Sequence, residues 1–135
     1  MPYGNRHQFL CDDIAILTAA RDRIADRDHW GQFRPQEGER FCIVAALAWA
    51  SRRGNPDDAG ETEGRLHKLL VAQLPRTAAL RARMTFIAPR YRLMIFNDCL
   101  RTYHDDVVEL FDNVIRQLVS QSTQSGKNSK DMREA

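Results

Sequence analysis

The ten residues FCIVAALAWA, at Phe41–Ala50, form the longest apolar stretch of the chain. A helix over this stretch is apolar on every side, which is typical of a helix buried at the centre of a domain. Arg52 and Arg53 follow and suit the negative end of a helix dipole, and Gly54 can end the helix in a left-handed turn. The pattern predicts a central helix from about Glu39 to Arg53.

Four further segments complete the predicted fold. Apolar residues recur at helical spacing over Asp12–Asp26, Thr62–Leu74 and Asp106–Val119, and a short helix is expected over Leu93–Leu100. Residues 76–93 leave helix and extended structure both open. We therefore expect an all-α, compact bundle-like or orthogonal domain of four to five helices, with the last helix packed against the central one.

Length and composition indicate one domain in a chain of 135 residues. After Gln121 the sequence is polar and has almost nothing to bury, so we expect a single helical domain at 1–121 and a disordered tail at 122–135. No apolar run approaches the roughly 18 residues that span a bilayer. The N-terminus lacks the pattern of a signal peptide. These observations predict a cytoplasmic protein without membrane association.

The cysteines and glycines indicate neither a disulfide framework nor a cofactor site. Cys11, Cys42 and Cys99 are an odd number without paired spacing, so reduced thiols are expected. No cysteine or histidine pair has the spacing of a zinc site, and no glycine-rich phosphate loop is present in the sequence. The prediction is no metal and no cofactor.

Several motif positions resemble a bacterial and phage domain of unknown function. The matching positions in this sequence are Trp30, Gly38-Glu39-Arg40-Phe41-Cys42, Ala46-Leu47, Phe96-Asn97-Asp98, Thr102 and a final amphipathic helix. Ala45 stands where the family usually has Gly, and Phe96 where it has Trp. The resemblance covers most of Asp12–Val119. It implies a compact domain and confers no activity.

The absence of catalytic signatures makes an interaction or regulatory module the first functional hypothesis, with a protein partner or a second copy of the chain as its target. The alternative is a small hydrolase or transferase with Cys42 as nucleophile. A thiol at a helix N-terminus can have its pKa lowered by the helix dipole. His104 would then act as the base, oriented by Asn97 or Asp98. In the opposing interpretation, Cys42 is a small core residue and His104 lies on the surface.

Asn97-Asp98 interrupts an apolar segment and therefore has two interpretations. As a binding pair, with Trp30 as a further candidate, these residues would contact a ligand or act in acid–base chemistry. As a structural pair, they would bond to unpaired backbone groups, such as those at the start of the helix that follows Cys42.

The third functional hypothesis is nucleic-acid binding through the basic segment Arg76–Arg101. Its candidate contacts are Arg81, Arg83, Arg90 and Arg92, with the aromatic residues Phe86 and Tyr91 between them. Arginines can bind phosphates while an aromatic ring stacks on a base. The net charge of the chain is only +2. That value does not by itself imply a nucleic-acid partner.

Overall fold

Five α-helices make up most of the described chain. The computed structural model describes residues 6–75 and 86–134, with side chains described for residues 9–75 and 86–124. The helices are α1 (Arg6–Arg23), α2 (Ile43–Gly54), α3 (Ala59–Ala72), α4 (Pro89–Asp98) and α5 (His104–Glu134). Two short antiparallel strands, β1 (Gln36–Glu37) and β2 (Arg40–Phe41), precede α2. The predicted all-α class is confirmed.

Helix α2 is buried as the sequence indicates, but it starts later than expected. The hairpin of β1 and β2 occupies the residues before Ile43, where the helix begins. The buried residues of α2 are Ile43, Val44, Ala46, Leu47, Ala50 and Ser51. Helices α1, α3 and α4 all pack against it. One continuous apolar core therefore surrounds α2.

Gly54 has a different role from the predicted one. Among the described glycines, only Gly38 has a positive φ, so no left-handed cap forms at Gly54. Instead, α2 approaches α1 so closely here that a Cβ atom on Gly54 would lie 2.7 Å from Ile16 Cγ1. Real Cβ atoms essentially never come that close to another heavy atom. Gly54 is therefore required by the packing of two helices and not by a turn.

Helix α5 packs mainly against α1, and not against α2 as expected. The reason is that α1, α3 and α4 already cover α2, and the apolar stripe of α5 meets α1. The buried residues of that stripe are Val107, Leu110, Phe111, Val114 and Leu118. An ion pair supports this contact, because Arg21 Nε donates to the carboxylate of Asp112 at 2.9 Å.

The first turn of α5 is capped, whereas the described side chains of α5 after Leu118 are not buried. At the start, the backbone N–H of Tyr103 donates to the carboxylate of Asp106 at 2.8 Å. At the other end, the helix continues to Glu134, through the stretch predicted to be a tail. No described side chain between Leu118 and residue 125 is buried. The boundary at residue 121 stays a prediction.

Helix α4 overlaps the short helix expected over Leu93–Leu100, but it starts earlier, within the segment whose conformation the sequence left open. It begins at Pro89. Proline has no backbone N–H, and in the first turn of a helix that N–H would have no hydrogen-bond partner within the helix, so proline is tolerated there. Residues 76–85 of the ambiguous segment lie outside the described residues. Within the described ranges, no helix has both the length and the apolar character needed to cross a membrane.

Candidate functional site

Asn97 is completely buried in the last turn of α4 and joins this helix to the start of α2. Its side-chain oxygen accepts hydrogen bonds from the backbone N–H of Ile43, at 3.1 Å, and from Trp30 Nε1, at 2.8 Å. Its amide nitrogen donates to the carbonyl of Gly31 and to Asp98 Oδ1, each at 3.0 Å. All four bonding positions of the amide are occupied. The contact with Ile43 is the one that the capping interpretation expects.

Asp98 and Gln32 extend this network across the loop before β1. Asp98 Oδ1 accepts from the backbone N–H of Phe33 at 2.8 Å. Gln32 Nε2 donates to the carbonyls of Asn97 and Cys99, at 2.9 and 3.0 Å, and so satisfies two acceptors at the end of α4. We refer to Trp30, Gln32, Asn97 and Asp98 as the Asn97 clamp. The clamp fixes the C-terminal end of α4 on the N-terminal end of α2.

Cys42 lies at the N-cap of α2, where the nucleophile hypothesis requires it. Its thiol accepts a hydrogen bond from the backbone N–H of Ala45 at 3.4 Å. Burial nevertheless raises the pKa of Cys42, and this effect exceeds the opposing effect of the helix N–H groups. The shift is opposite to the one that produces a reactive thiolate at neutral pH.

His104 and Asp98 do not form a catalytic arrangement with Cys42 in the described part of the chain. His104 Nε2 lies 2.7 Å from the carbonyl of Ile24, and its ring centroid lies 5.9 Å from that of Trp30. Asp98 bonds to Phe33 and Asn97. No hydrogen bond joins Cys42 to His104 among the described residues. The enzymatic alternative stays a hypothesis without a supporting geometry.

The basic segment is only partly described. Arg81 and Arg83 lie outside the described residues, whereas Arg90 is exposed and Arg92 is half-buried at the start of α4. The Nε atom of Arg92 is buried without a hydrogen-bond partner among the described groups. Within the described ranges, no group of three or more His, Cys, Asp or Glu side chains could hold a metal ion.

The outer side of α4 carries an apolar surface that the sequence analysis missed. Tyr91 and Ile95, one helical turn apart, are 57% and 40% exposed, and Leu100 just after the helix is 79% exposed. A groove with a volume of about 550 Å³ runs along Tyr91, Met94, Ile95, Asp98 and Cys99. We refer to Phe33, Tyr91, Met94, Ile95, Cys99 and Leu100 as the α4 surface. One signal was available, because Met94, Ile95 and Phe96 are consecutive and cannot all face the core.

A comparison with family models assigns the chain to a family. The model of a family of unknown function, DUF6197, matches residues 12–117. The chain belongs to the DUF6197 family. This confirms the resemblance seen in the sequence, and the match includes the residues of the Asn97 clamp. Neither the search of curated proteins nor that of solved structures found a match.

DUF6197 is a family of unknown function, so membership assigns no activity to the chain. In this DUF6197 chain, the motif residues Trp30, Asn97 and Asp98 bond to one another and to backbone groups. In the α4 surface, in contrast, Phe33, Tyr91, Ile95 and Leu100 are exposed, and Tyr91 and Ile95 lie on the helix that the clamp holds. The clamp therefore positions α4, and the α4 surface is the candidate site of contact with other molecules.

Proposed function

We propose that this DUF6197 chain is a small interaction module that binds a protein partner through the α4 surface, in the cytoplasm of a bacterial cell. The observation that supports the proposal is the exposure of Tyr91 and Ile95 on one side of α4 and of Leu100 just after the helix. Single exposed apolar residues are common in proteins, but contiguous apolar patches mark interaction sites. Tyrosine and methionine, both present here, are enriched in protein interfaces.

The rigid support of this surface favours binding. Leu93 and Phe96, on the inner side of α4, are buried in the core, and the clamp holds the end of the helix. A surface whose backbone is already ordered loses less entropy when a partner binds. The backbone of Phe33 is a separate indication of a functional surface. Phe33 is 65% exposed and has a left-handed conformation with φ of 73°. Such a conformation costs about 1–3 kcal/mol in a residue other than glycine, and it concentrates at functional sites.

The charges around the surface indicate the chemistry of the partner. Arg90 and Arg101 are exposed, form no ion pair with a described residue, and are each adjacent in sequence to a residue of the α4 surface. Opposite charges at the rim of an interface guide association and fix its orientation. We therefore expect a partner segment with apolar residues at its centre and aspartate or glutamate residues at its edges.

Nucleic acid is the second candidate, because exposed Tyr91 and nearby arginines can also contact a single strand. Protein is favoured by the aliphatic members of the surface. Ile95, Met94 and Leu100 cannot stack on bases as aromatic rings do, whereas they can fill the apolar centre of a protein interface.

The test is the capture of partners by tagged wild-type protein from a lysate of its native host, with and without nuclease, in parallel with two variants. The first carries Tyr91→Ser and Ile95→Ser, and the control carries Val119→Ser, which changes an equally exposed apolar residue on α5. We expect the wild type and the control to retain the same protein after nuclease treatment, and the double variant to lose it with little change in melting temperature. Equal retention by the double variant, or loss on nuclease treatment, would contradict the proposal.

A further inference from the structure

A second concave region lies on the other side of Met94, between α2, α3, α4 and the hairpin. It has a volume of about 300 Å³. Part of its wall is apolar and consists of Val44 and Ala48 of α2 and Met94 of α4. Three charged residues, Arg52, Glu63 and Arg90, line the same cavity. We refer to this cavity as the α2–α4 pocket. Its volume is at the lower end of the range for small-molecule sites, so a ligand would be small.

The charged side chains of the pocket are unpaired within the described part of the chain. Arg52, Glu63 and Arg90 come from three different helices, and none forms an ion pair with a described residue. Among the described residues, two ion pairs do join helices: Arg65 with Asp13 at 2.7 Å and Arg21 with Asp112 at 2.9 Å. Two cations and one anion at the wall of one cavity leave a positive excess that a bound anion can neutralise.

Recognition in this pocket depends on these side chains and not on the N-terminus of α2. The N–H groups of Ile43 and Ala45 already donate to Asn97 Oδ1 and Cys42 Sγ. Cys42 also lines the pocket, and burial raises the pKa of its thiol. The thiol is therefore neutral at pH 7 and does not repel an anion.

We propose that the α2–α4 pocket binds a small amino acid with an acidic side chain. Two carboxylates of such a ligand complement Arg52 and Arg90, since a guanidinium group bonds a carboxylate through two parallel N–H donors. The ammonium group of the ligand complements Glu63. Its short methylene chain contacts Val44, Ala48 and Met94. This site shares Met94 with the α4 surface, and Arg90 lies beside both. Its other lining residues lie on α2, on α3 and in the segment before α2, and it does not depend on the proposed protein partner.

The test compares two probes, L-glutamate and glutarate, which share both carboxylates but differ in the ammonium group. Calorimetric titration at constant ionic strength should show saturable binding of L-glutamate, and amide NMR shifts should locate it at Val44 and Ala48. Glutarate should bind about tenfold more weakly, because one charge-assisted contact is lost. Absence of saturable L-glutamate binding, or equal affinity for the two probes, would overturn the proposal.

Variants identify the residues that bind each group. Arg52→Gln and Arg90→Gln should each weaken L-glutamate binding by about tenfold or more. Glu63→Gln should weaken binding of L-glutamate and leave glutarate binding at least as strong. Ala48→Leu should abolish binding of both by filling the cavity. Arg101→Gln, which makes the same charge change outside the pocket, should bind as the wild type does. If Arg101→Gln weakens binding as much as Arg52→Gln, the effect is one of net charge and the site is refuted.

Discussion

Replacement of Asn97 by leucine should remove much of the stability of the fold. Leucine has a similar volume but no polar group, so the backbone N–H of Ile43, Trp30 Nε1 and the carbonyl of Gly31 would each lose a partner. A buried polar group without a partner costs about 1–3 kcal/mol. Ile43 is fully buried, whereas Trp30 and Gly31 are half-buried and can regain some solvation from water. We therefore expect a loss of about 3–5 kcal/mol, a large part of the roughly 5–15 kcal/mol typical of a small domain.

The assay is urea unfolding followed by circular dichroism, with the free energy extrapolated to water. Asn113→Leu is the matched control, because Asn113 is half-buried on α5 and its side chain only accepts one long bond, at 3.4 Å, from Arg116. The control should lose less than about 1 kcal/mol, as surface substitutions usually do. If Asn97→Leu is destabilised no more than Asn113→Leu, the clamp does not hold α4 on α2 and our reasoning is refuted.

Two further predictions concern stability. Gly54→Ala should destabilise the fold by about 1–3 kcal/mol, because its Cβ would collide with Ile16. Gly64→Ala, in an open part of α3, should stabilise the fold by up to about 1 kcal/mol. Urea unfolding of both variants measures the two changes in the free energy of unfolding. His67 is buried, its Nε2 has no hydrogen-bond partner among the described groups, and burial, helped by the charge of Arg90, lowers its pKa. The unfolded chain therefore takes up a proton near pH 6.5 before the folded chain does, so the free energy of unfolding should fall as the pH drops from 7 toward the lowered pKa. His67→Leu should flatten this dependence, and an unchanged pH profile would contradict it.

The helices that the sequence predicts well are those with a regular apolar stripe. The stripe around Leu17 in α1 and that around Phe111 in α5 reflect burial on one side, which a 3.6-residue period detects directly. The central apolar stretch likewise predicted α2. In each case the free energy of burying the stripe dominates, and it depends on residues close in sequence.

The features that the sequence could not predict depend on contacts between distant segments. Pro89 disfavours a helical conformation in the residue before it, but Pro89 itself is tolerated at the first position of α4. Gly54 was expected to be a cap because it follows the last residues of the predicted helix. Its actual role depends on Ile16, which lies on another helix and could not be identified from the local sequence. Expected helix ends also shifted by a few residues, since the hairpin before α2 is fixed by pairing of Gln36 with Phe41.

The candidate site was likewise predictable in its residues but not in their contacts. Trp30, Asn97 and Asp98 could be singled out from the sequence, because a polar pair within an apolar segment must have partners when it is buried. Their partners could not be identified, since Trp30 and Asn97 are 67 residues apart in the chain. The exposure of Ile95 was only partly predictable. Met94, Ile95 and Phe96 cannot all face the core, but the sequence does not show which of them faces solvent.

Photo-crosslinking from the α4 surface tests the proposed function most directly. A photoreactive amino acid would replace Ile95, on the α4 surface, and in a control Lys68, which is exposed on α3. After irradiation in the native host, we predict one defined protein adduct from position 95 and none from position 68, with loss of the adduct when Tyr91 is also changed to serine. No adduct from position 95, or the same adduct from both positions, would contradict a protein-binding role for the α4 surface.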